Sequence, residues 1–305
     1  MTGPIPDGAF STWGLRFNDE ITADLVFIGA LGGGRRYEVV EAWDRILFTR
    51  VVAKLLRPDH VDEERSRAAL RREGEIGTAL AHPNLVRLLR WRDDERRPHL
   101  VLELVEAPSV EDHLEGVGPV SVPETCVLGI RMLAALHYMH ANGVLHLDVK
   151  PANIAMGAPP RLLDLSLARR GLHQRLDRSV GTAAYMSPEQ CRREDLGPKT
   201  DLWGLGATLY EAITGMQPFS QPDETASEPE ARYPQLAEEA MPLRLQLPQI
   251  PRGLDEIVMR CLDRDPRRRP SSAVECAAAL ARVLDELGID ELRAWPRGLK
   301  LSAGP

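Results

Sequence analysis

Apolar positions change period along this chain. Early on they come in short runs, Leu25-Val26-Phe27-Ile28 and Val51-Val52-Ala53-Lys54-Leu55-Leu56, on either side of Gly32-Gly33-Gly34. That spacing predicts strands over residues 23–31 and 50–56. Residues 62–81 are rich in Arg, Glu, Ala and Leu, a helical composition. Residues 85–91 and 100–105 read as two more strands, after which the chain turns polar at Glu106, Pro108 and Ser109. From Pro123 to Ala141 the residues are apolar most of the way round a helix (Val127, Leu128, Ile130, Leu133, Leu136), which predicts a buried one. Pro123 suits its first turn and Asn142-Gly143 its end. A second hydrophobic helix runs from Asp201 to Thr214 and stops at Gly215. Leu254, Ile257, Val258, Cys261 and Leu262 again follow helical spacing. Ser272 and Glu275 then read as a capping box opening a helix through Leu280, Val283, Leu284 and Leu287. Residues 1–22 read as a leader or irregular cap. Residues 219–250, acidic and proline-rich, read as an irregular insert with a helical patch near 234–240. The order is strands with one helix first, then mainly helices: an α+β fold.

Composition narrows the function. At 305 residues, 43% of them hydrophobic, the chain can bury one large core or two lobes. A net charge of −7 argues against a nucleic-acid partner, which would call for a basic surface. No run reaches the ~18 apolar residues of a membrane span. Met1-Thr2-Gly3-Pro4-Ile5-Pro6-Asp7 lacks the basic and apolar regions of a signal peptide, so a cytoplasmic location is expected. Cys126, Cys191, Cys261 and Cys276 are scattered without CxxC spacing, as reduced, space-filling thiols would be.

The chemistry concentrates in His146-Leu147-Asp148-Val149-Lys150-Pro151-Ala152-Asn153 and Leu162-Leu163-Asp164-Leu165-Ser166. Pro151 pushes the residue before it out of the α region, so this stretch is a loop. Leu162-Leu163 reads as a short buried strand that leaves Asp164 at its end. Asp148 is then available to accept a proton. Asn153 and Asp164 offer hard oxygen ligands of the kind that suit Mg²⁺ against phosphates. Lys150 adds a point charge for a moving phosphoryl group. The three consecutive glycines permit a hairpin whose N–H groups approach phosphates, although taken alone they read better as a simple turn. Lys54, among apolar neighbours on a strand, needs a carboxylate partner.

Together these stretches resemble the catalytic domain of eukaryotic-type (Hanks-type) bacterial serine/threonine protein kinases. That family's pattern is His-Arg-Asp, four residues, Asn, then Asp-Phe-Gly; here it is His146-Leu147-Asp148, Asn153 and Asp164-Leu165-Ser166. Gly32 and Gly34 stand in its glycine-rich loop, with Tyr37 at the third glycine position. Lys54 closes its Val-Ala-Ile-Lys strand. Counting back from Ala81-His82-Pro83-Asn84 puts Glu73, rather than Glu75, at the αC glutamate. Ser187-Pro188-Glu189, Asp201 and Arg269 follow in the family's order.

The resemblance implies a bilobal, protein-kinase-like α+β fold. A small β-rich N-lobe with one αC helix would span 23–104, a larger, mainly helical C-lobe 105–285, and a tail 286–305. It implies a non-specific serine/threonine protein kinase that uses ATP and Mg and acts on protein substrates, with neither a nucleic-acid partner nor a membrane span. Asp148 would orient the acceptor hydroxyl, with Thr182 beside it, and Lys150 would steady the transferring group. Asn153 and Asp164 would hold Mg²⁺, and Lys54, held by Glu73, the α- and β-phosphates. Gly32, Gly34, Val39, Ala53, Leu102, Glu103 and Val105 would surround the nucleotide. Of these, Leu102 would guard the pocket's rear, and backbone groups near Glu103 and Val105 would bond the adenine. Asp201 would tie down the catalytic-loop backbone, a role compatible with helix N-capping, and Arg269 would pair with Glu189.

Three departures carry expectations. Leu147 replaces an arginine that normally meets a phosphate on the activation segment, so phosphorylation there should not be the on-switch. Ser179 is the one hydroxyl between Ala168 and Val180. Ser166 replaces a glycine, which should restrict an inactive flip of Asp164. Tyr37 either caps the phosphates or stiffens the loop. These three residues also motivate a second reading, a pseudokinase acting as a nucleotide-binding regulatory or scaffold module. A small-molecule kinase is opposed by Lys150 and Ser187-Pro188-Glu189, and a purely structural domain would not bind Mg-ATP.

Overall fold

Five strands, β1 (Leu25–Gly33), β2 (Tyr37–Asp44), β3 (Thr49–Leu56), β4 (Leu88–Arg92) and β5 (His99–Glu103), form one antiparallel sheet in the order β1-β2-β3-β5-β4. The structure is a computed structural model and describes residues 11–94, 96–223 and 225–289. The chain divides into two units, Met1–Ala81 with Val86–Glu106, and His82–Leu85 with Ala107–Pro305. The expected leader and tail fall partly on 1–10 and 290–305, which lie outside the described residues.

The first unit is built by strand alternation, since successive side chains point to opposite faces. Val40, Ala42, Val51, Ala53, Leu55 and Val101 lie on one face and pack with Leu15 and Ile21. Residues 11–22 are thus a cap that contributes to the core. They are pinned by Trp13 Nε1, which donates to the Leu56 carbonyl at 2.8 Å. The buried Glu38 carboxylate accepts from Ser11 Oγ and the Thr12 N–H, each at 2.6 Å. On the opposite face, Tyr37, Leu56 and Leu100 meet Leu70 of α1 (Glu64–Ala79), with Leu88 and Trp91 against them. α1 buries Ser66, Ala69, Leu70, Glu73, Gly74 and Gly77, the i, i+3, i+4 stripe of an amphipathic helix. Its glycines are there for close approach. A Cβ on Gly74 would lie 2.5 Å from the Trp91 ring.

The second unit is mainly helical. It contains α2 (Val110–Gly116), α3 (Val122–Ala141), β6 (Val144–Leu145), β7 (Ile154–Ala155), β8 (Arg161–Leu162), β9 (Arg169–Arg170), α4 (Pro188–Arg192), α5 (Pro198–Thr214), α6 (Pro229–Arg232), α7 (Leu243–Gln246), α8 (Arg252–Cys261) and α9 (Ala273–Glu286). β6 pairs with β9 and β7 with β8. α3, α5, α8 and α9 pack together around Trp203, Leu133, Leu136 and Leu280, all almost wholly buried. Ser121 caps α3, which ends at Asn142 with Gly143 left-handed at φ 69°.

Some elements differ from the sequence pattern. The strand expected from residue 85 begins at Leu88, because Leu85 instead bridges Leu162 within the second unit. Residues 219–250 hold the short α6 and α7. Ser272 caps α9 through the Glu275 N–H at 3.3 Å, but the Glu275 carboxylate turns to Ser271, accepting from its N–H at 2.7 Å and Oγ at 2.8 Å. The reciprocal half of the box therefore goes to the neighbouring serine. All four cysteines are free and buried, and burial pushes the Cys126 and Cys191 thiols up to about 12. Among the described residues no helix is long and apolar enough to cross a membrane.

Candidate active site

β6 delivers the chain to His146, and α5 holds it there. Asp201, in the first turn of α5 and fully buried, accepts from the Leu147 N–H at 2.7 Å, the His146 N–H at 3.0 Å and His140 Nε2 at 2.7 Å. Burial alone would raise its pKa; the His140 bond and the His146 N–H outweigh that and hold the carboxyl below its usual range. Asp201 is not the N-cap of α5, a position taken by Gly197. These bonds sustain Leu147 at φ 67°, a left-handed conformation that costs about 1–2 kcal/mol for an L-residue.

Asp148 follows this strained residue and is almost wholly enclosed by donors. Its Oδ1 accepts from the Thr182 N–H and Oγ1, each at 3.0 Å, and its Oδ2 from Asn153 Nδ2 at 3.0 Å. Lys150 Nζ lies 3.4 Å from Oδ2 and donates to Thr182 Oγ1 at 2.6 Å. Carboxylate, ammonium and a threonine hydroxyl thus share one small space.

Asn153 also donates to the Asp148 carbonyl at 2.9 Å. Its amide nitrogen is committed, which orients Oδ1 as an acceptor. Leu163, just before Asp164, donates to the Asn153 carbonyl at 2.8 Å, and the Leu163 carbonyl meets His146 Nε2 at 3.1 Å. These two bonds set Asp164 next to Asn153. Asp164 itself is left-handed at φ 55°, which aspartate tolerates, and accepts from the Ser166 N–H at 3.1 Å. One amide oxygen and one carboxylate fit Mg²⁺, which is usually bound through one or two carboxylates plus substrate phosphates. Among the described residues no group of three or more His, Cys, Asp or Glu is placed to hold a metal.

The segment after Asp164 is anchored back onto this loop. Leu147 packs with Leu145, Val180 and Leu196, and with Leu167, Leu172 and Leu176. Gln190 Nε2 donates to the carbonyls of Leu147 at 3.0 Å and Val180 at 2.9 Å. A Cβ on Gly181 would lie 2.8 Å from Met186 and 3.3 Å from the Leu147 carbonyl, so only glycine passes. Glu189 is gripped bidentately by Arg269 at 2.7 and 2.8 Å. The sequence did not single out Gln190; its signal was a glutamine three residues after the α4 cap, Ser187.

In the first unit Lys54 Nζ donates to Glu73 Oε1 at 2.8 Å, both side chains buried, whereas Glu75 is exposed. The glycine hairpin needs Gly33 most. Its φ is 139°, and a Cβ there would lie 2.5 Å from the Tyr37 carbonyl; Gly32 has open space but a φ of 142° that favours glycine, and Gly34 is unconfined. Tyr37 opens β2 and is not at the loop tip, as capping the phosphates would require. Its ring is buried on the α1 side, 4.7 Å from Lys54 Nζ.

Ala53 is a correction. It is wholly buried among Val40, Val51 and Val101, on the face opposite Lys54. Strand alternation gives the place on the Lys54 face to Val52, opposite Leu102. Val39 pairs with Lys54 across β2 and β3. The Glu103 N–H donates to the Arg87 carbonyl and its carboxylate accepts from the Arg87 N–H, both at 2.9 Å. The Val105 backbone makes no hydrogen bond among the described residues.

Residues 25–281 match the protein kinase domain family. The chain is 32% identical over 263 residues to the serine/threonine-protein kinase PknB of Mycobacterium leprae, covering 83% of this chain and 42% of that protein. It is 31% identical over 264 residues to PknB of Mycobacterium tuberculosis, with the same coverage. A probable serine/threonine-protein kinase of Streptomyces coelicolor is 31% identical over 266 residues, 84% of this chain and 39% of the relative. The chain thus spans about two-fifths of the length of these curated relatives.

Proposed function

Because the chain belongs to the protein kinase domain family, we propose that it transfers the γ-phosphoryl group of Mg-ATP to serine and threonine hydroxyls of protein substrates. One observation carries this reading. The Thr182 hydroxyl donates to Asp148 Oδ1 and accepts from Lys150 Nζ. An acceptor hydroxyl bound to these same two groups would have its proton directed at a carboxylate and its oxygen steadied by a cation. Asp148 orients that hydroxyl and receives its proton as the oxygen bonds to phosphorus. Lys150 stabilises the charge on the transferring group. Asn153 and Asp164 would hold Mg²⁺, which when bound neutralises phosphate charge. Lys54, fixed by Glu73, holds the α- and β-phosphates. Gly32, Gly34, Val39, Leu102, Glu103 and Val105, with Val52 in place of Ala53, complete the nucleotide site. Such catalysis consists mainly of positioning and charge neutralisation. The N-lobe takes residues 23–104 and the C-lobe 105–285, and the reaction belongs in the cytoplasm, where ATP is. The test is incubation of the protein with γ-labelled ATP, Mg²⁺ and a protein extract, followed by phosphoamino-acid analysis. Label on serine or threonine is expected; Mg-ATP binding without transfer would overturn the reading in favour of a regulatory or scaffold module.

Activation is proposed to be independent of phosphorylation. A phosphate on the segment after Asp164 would normally be met by an arginine beside the catalytic aspartate. Here that position is Leu147, buried against Val180 and Leu196 and carrying no donor. Apolar packing and Gln190 hold the segment instead. Phosphatase-treated protein is expected to keep its activity within about twofold, because no phosphate–arginine pair is lost. A large drop in the phosphatase assay would reject this.

A further inference from the structure

The third glycine position of the hairpin carries the most unexpected contact in the first unit. Tyr37 opens β2, and its side chain leaves the hairpin on the α1 side, 6% exposed, among Leu56, Leu70 and Leu100. The ring lies 4.7 Å from Lys54 Nζ while that ammonium bonds Glu73 at 2.8 Å. The next residue, Glu38, points to the opposite face and is gripped there by Ser11 and Thr12. The start of β2 is therefore fastened on one face by the cap and on the other by the tyrosine ring. The Tyr37 hydroxyl is buried and has no hydrogen-bond partner among the described residues. Burial and the nearby Glu73 charge push the phenol up to about 12, so it stays protonated. The hydroxyl thus gives nothing to the site, and the face of the ring is what touches the cation. An ammonium over an aromatic face in desolvated surroundings is attracted by the ring quadrupole.

We propose that Tyr37 is a positioning residue for Lys54: its ring face and the Glu73 carboxylate hold the ammonium from two sides, presenting it to the nucleotide phosphates. This rests on the reading in which Lys54 binds phosphate. It accounts for a bulky side chain where the resemblance leads one to expect glycine. With Tyr37 filling the space beside α1, the hairpin and the lysine–glutamate pair move as one body.

The test separates ring electronics from ring volume. Tyr37 is replaced by Phe, by Leu, and by phenylalanines bearing increasing numbers of fluorines, which keep shape while weakening the ring face. Calorimetry then gives the affinities for Mg-ATP and for adenosine. Tyr37→Leu is expected to weaken Mg-ATP about fivefold, the scale of one partly desolvated cation–π contact, with adenosine unchanged. The fluorinated series should lower the ATP-to-adenosine affinity ratio stepwise while leaving the melting temperature flat. It remains decisive if Tyr37→Leu does not fold. Tyr37→Phe should bind Mg-ATP within about twofold of the parent and melt higher, because a buried unpaired hydroxyl is removed. A ratio unchanged by fluorination, or ATP and adenosine weakening in parallel, would overturn the proposal. Lys54→Met is the control. If it collapses the ratio while fluorination does not, only the role of Tyr37 fails. If Lys54→Met itself leaves the ratio intact, Lys54 does not bind phosphate and the proposal falls with that assignment.

Discussion

Asp148→Asn is expected to lower kcat for phosphoryl transfer by about 10²–10⁴-fold, the span contributed by a positioned proton acceptor. Mg-ATP affinity should hold, because Asp148 is assigned to the acceptor hydroxyl and not to the nucleotide. The change is nearly isosteric but not innocent. Asp148 Oδ2 is approached by two donors, Asn153 Nδ2 at 3.0 Å and Lys150 Nζ at 3.4 Å. An amide nitrogen placed there would face both, so a stability loss of about 1–3 kcal/mol is expected alongside the kinetic one. Asp164 allows a cleaner companion. At φ 55° it sits where Asn is tolerated and Ala is strained. Asp164→Asn therefore removes charge with little backbone cost, whereas Asp164→Ala adds local strain to the same loss. Turnover for Asp164→Asn should fall at least ~100-fold and the Mg²⁺ requirement should rise, since charge neutralisation at the phosphates is worth several kcal/mol. Steady-state kinetics at several Mg²⁺ concentrations, with circular dichroism to verify folding, checks both. Parent-like turnover in either folded variant would remove that residue from the reaction.

Much of the loop around Asp148 was legible in the sequence because its residues are adjacent. Eight positions from His146 to Asn153, with Pro151 among them, and one short strand before Asp164 carry the pattern, although the left-handed Leu147 is held from outside by Asp201. Asp201 and Arg269 were legible only through the resemblance, since their partners lie 54 and 80 positions away. The residues around Lys54 were less legible, for a physical reason. A strand's faces are decided by register, and one residue of slip exchanges them. Ala53 cannot share a face with the adjacent Lys54, and alternation points to Val52 instead. Tyr37 obeys the same rule: β2 pairs with β3 without a break from Tyr37 opposite Leu56 to Asp44 opposite Thr49, which puts Tyr37 on the Lys54 face, but that register is visible only once the two strands are paired. The cap was obscure for a similar reason. Residues 11–22 are mostly polar and show no period, so the burial of Leu15 and Ile21 exists only once the sheet is there to receive them.

The largest stability effect is expected at Arg269, which ties the end of the segment after Asp164 to the helices behind it. Its guanidinium is buried and grips both oxygens of Glu189. It also donates to the Lys199 carbonyl at 3.0 Å and the Asp263 carbonyl at 2.8 Å, and lies 4.9 Å from the Trp203 ring. Arg269→Met would fill most of that volume yet strand a buried carboxylate. Breaking a buried pair from one side costs about 3–5 kcal/mol, or roughly 10 °C of melting temperature for a unit of this size. The pH dependence identifies the cause. In the parent, burial alone would raise the Glu189 pKa, but the Arg269 bonds outweigh it and depress the value. A depressed carboxylate contributes stability that is fully present above its unfolded pKa and is lost as pH falls through the folded one. In Arg269→Met burial, the largest influence, is opposed only by the Thr200 hydroxyl and the Glu189 N–H, so the folded pKa is expected to rise above the unfolded one. The penalty is then complete at neutral pH and is relieved as acid protonates Glu189. The gap between parent and variant should therefore narrow between about pH 7 and about pH 4.5, across the ordinary carboxylate range. Denaturation curves at both values give the answer: a gap that stays constant would mean that lost packing against Trp203, and not the stranded Glu189 charge, sets the cost.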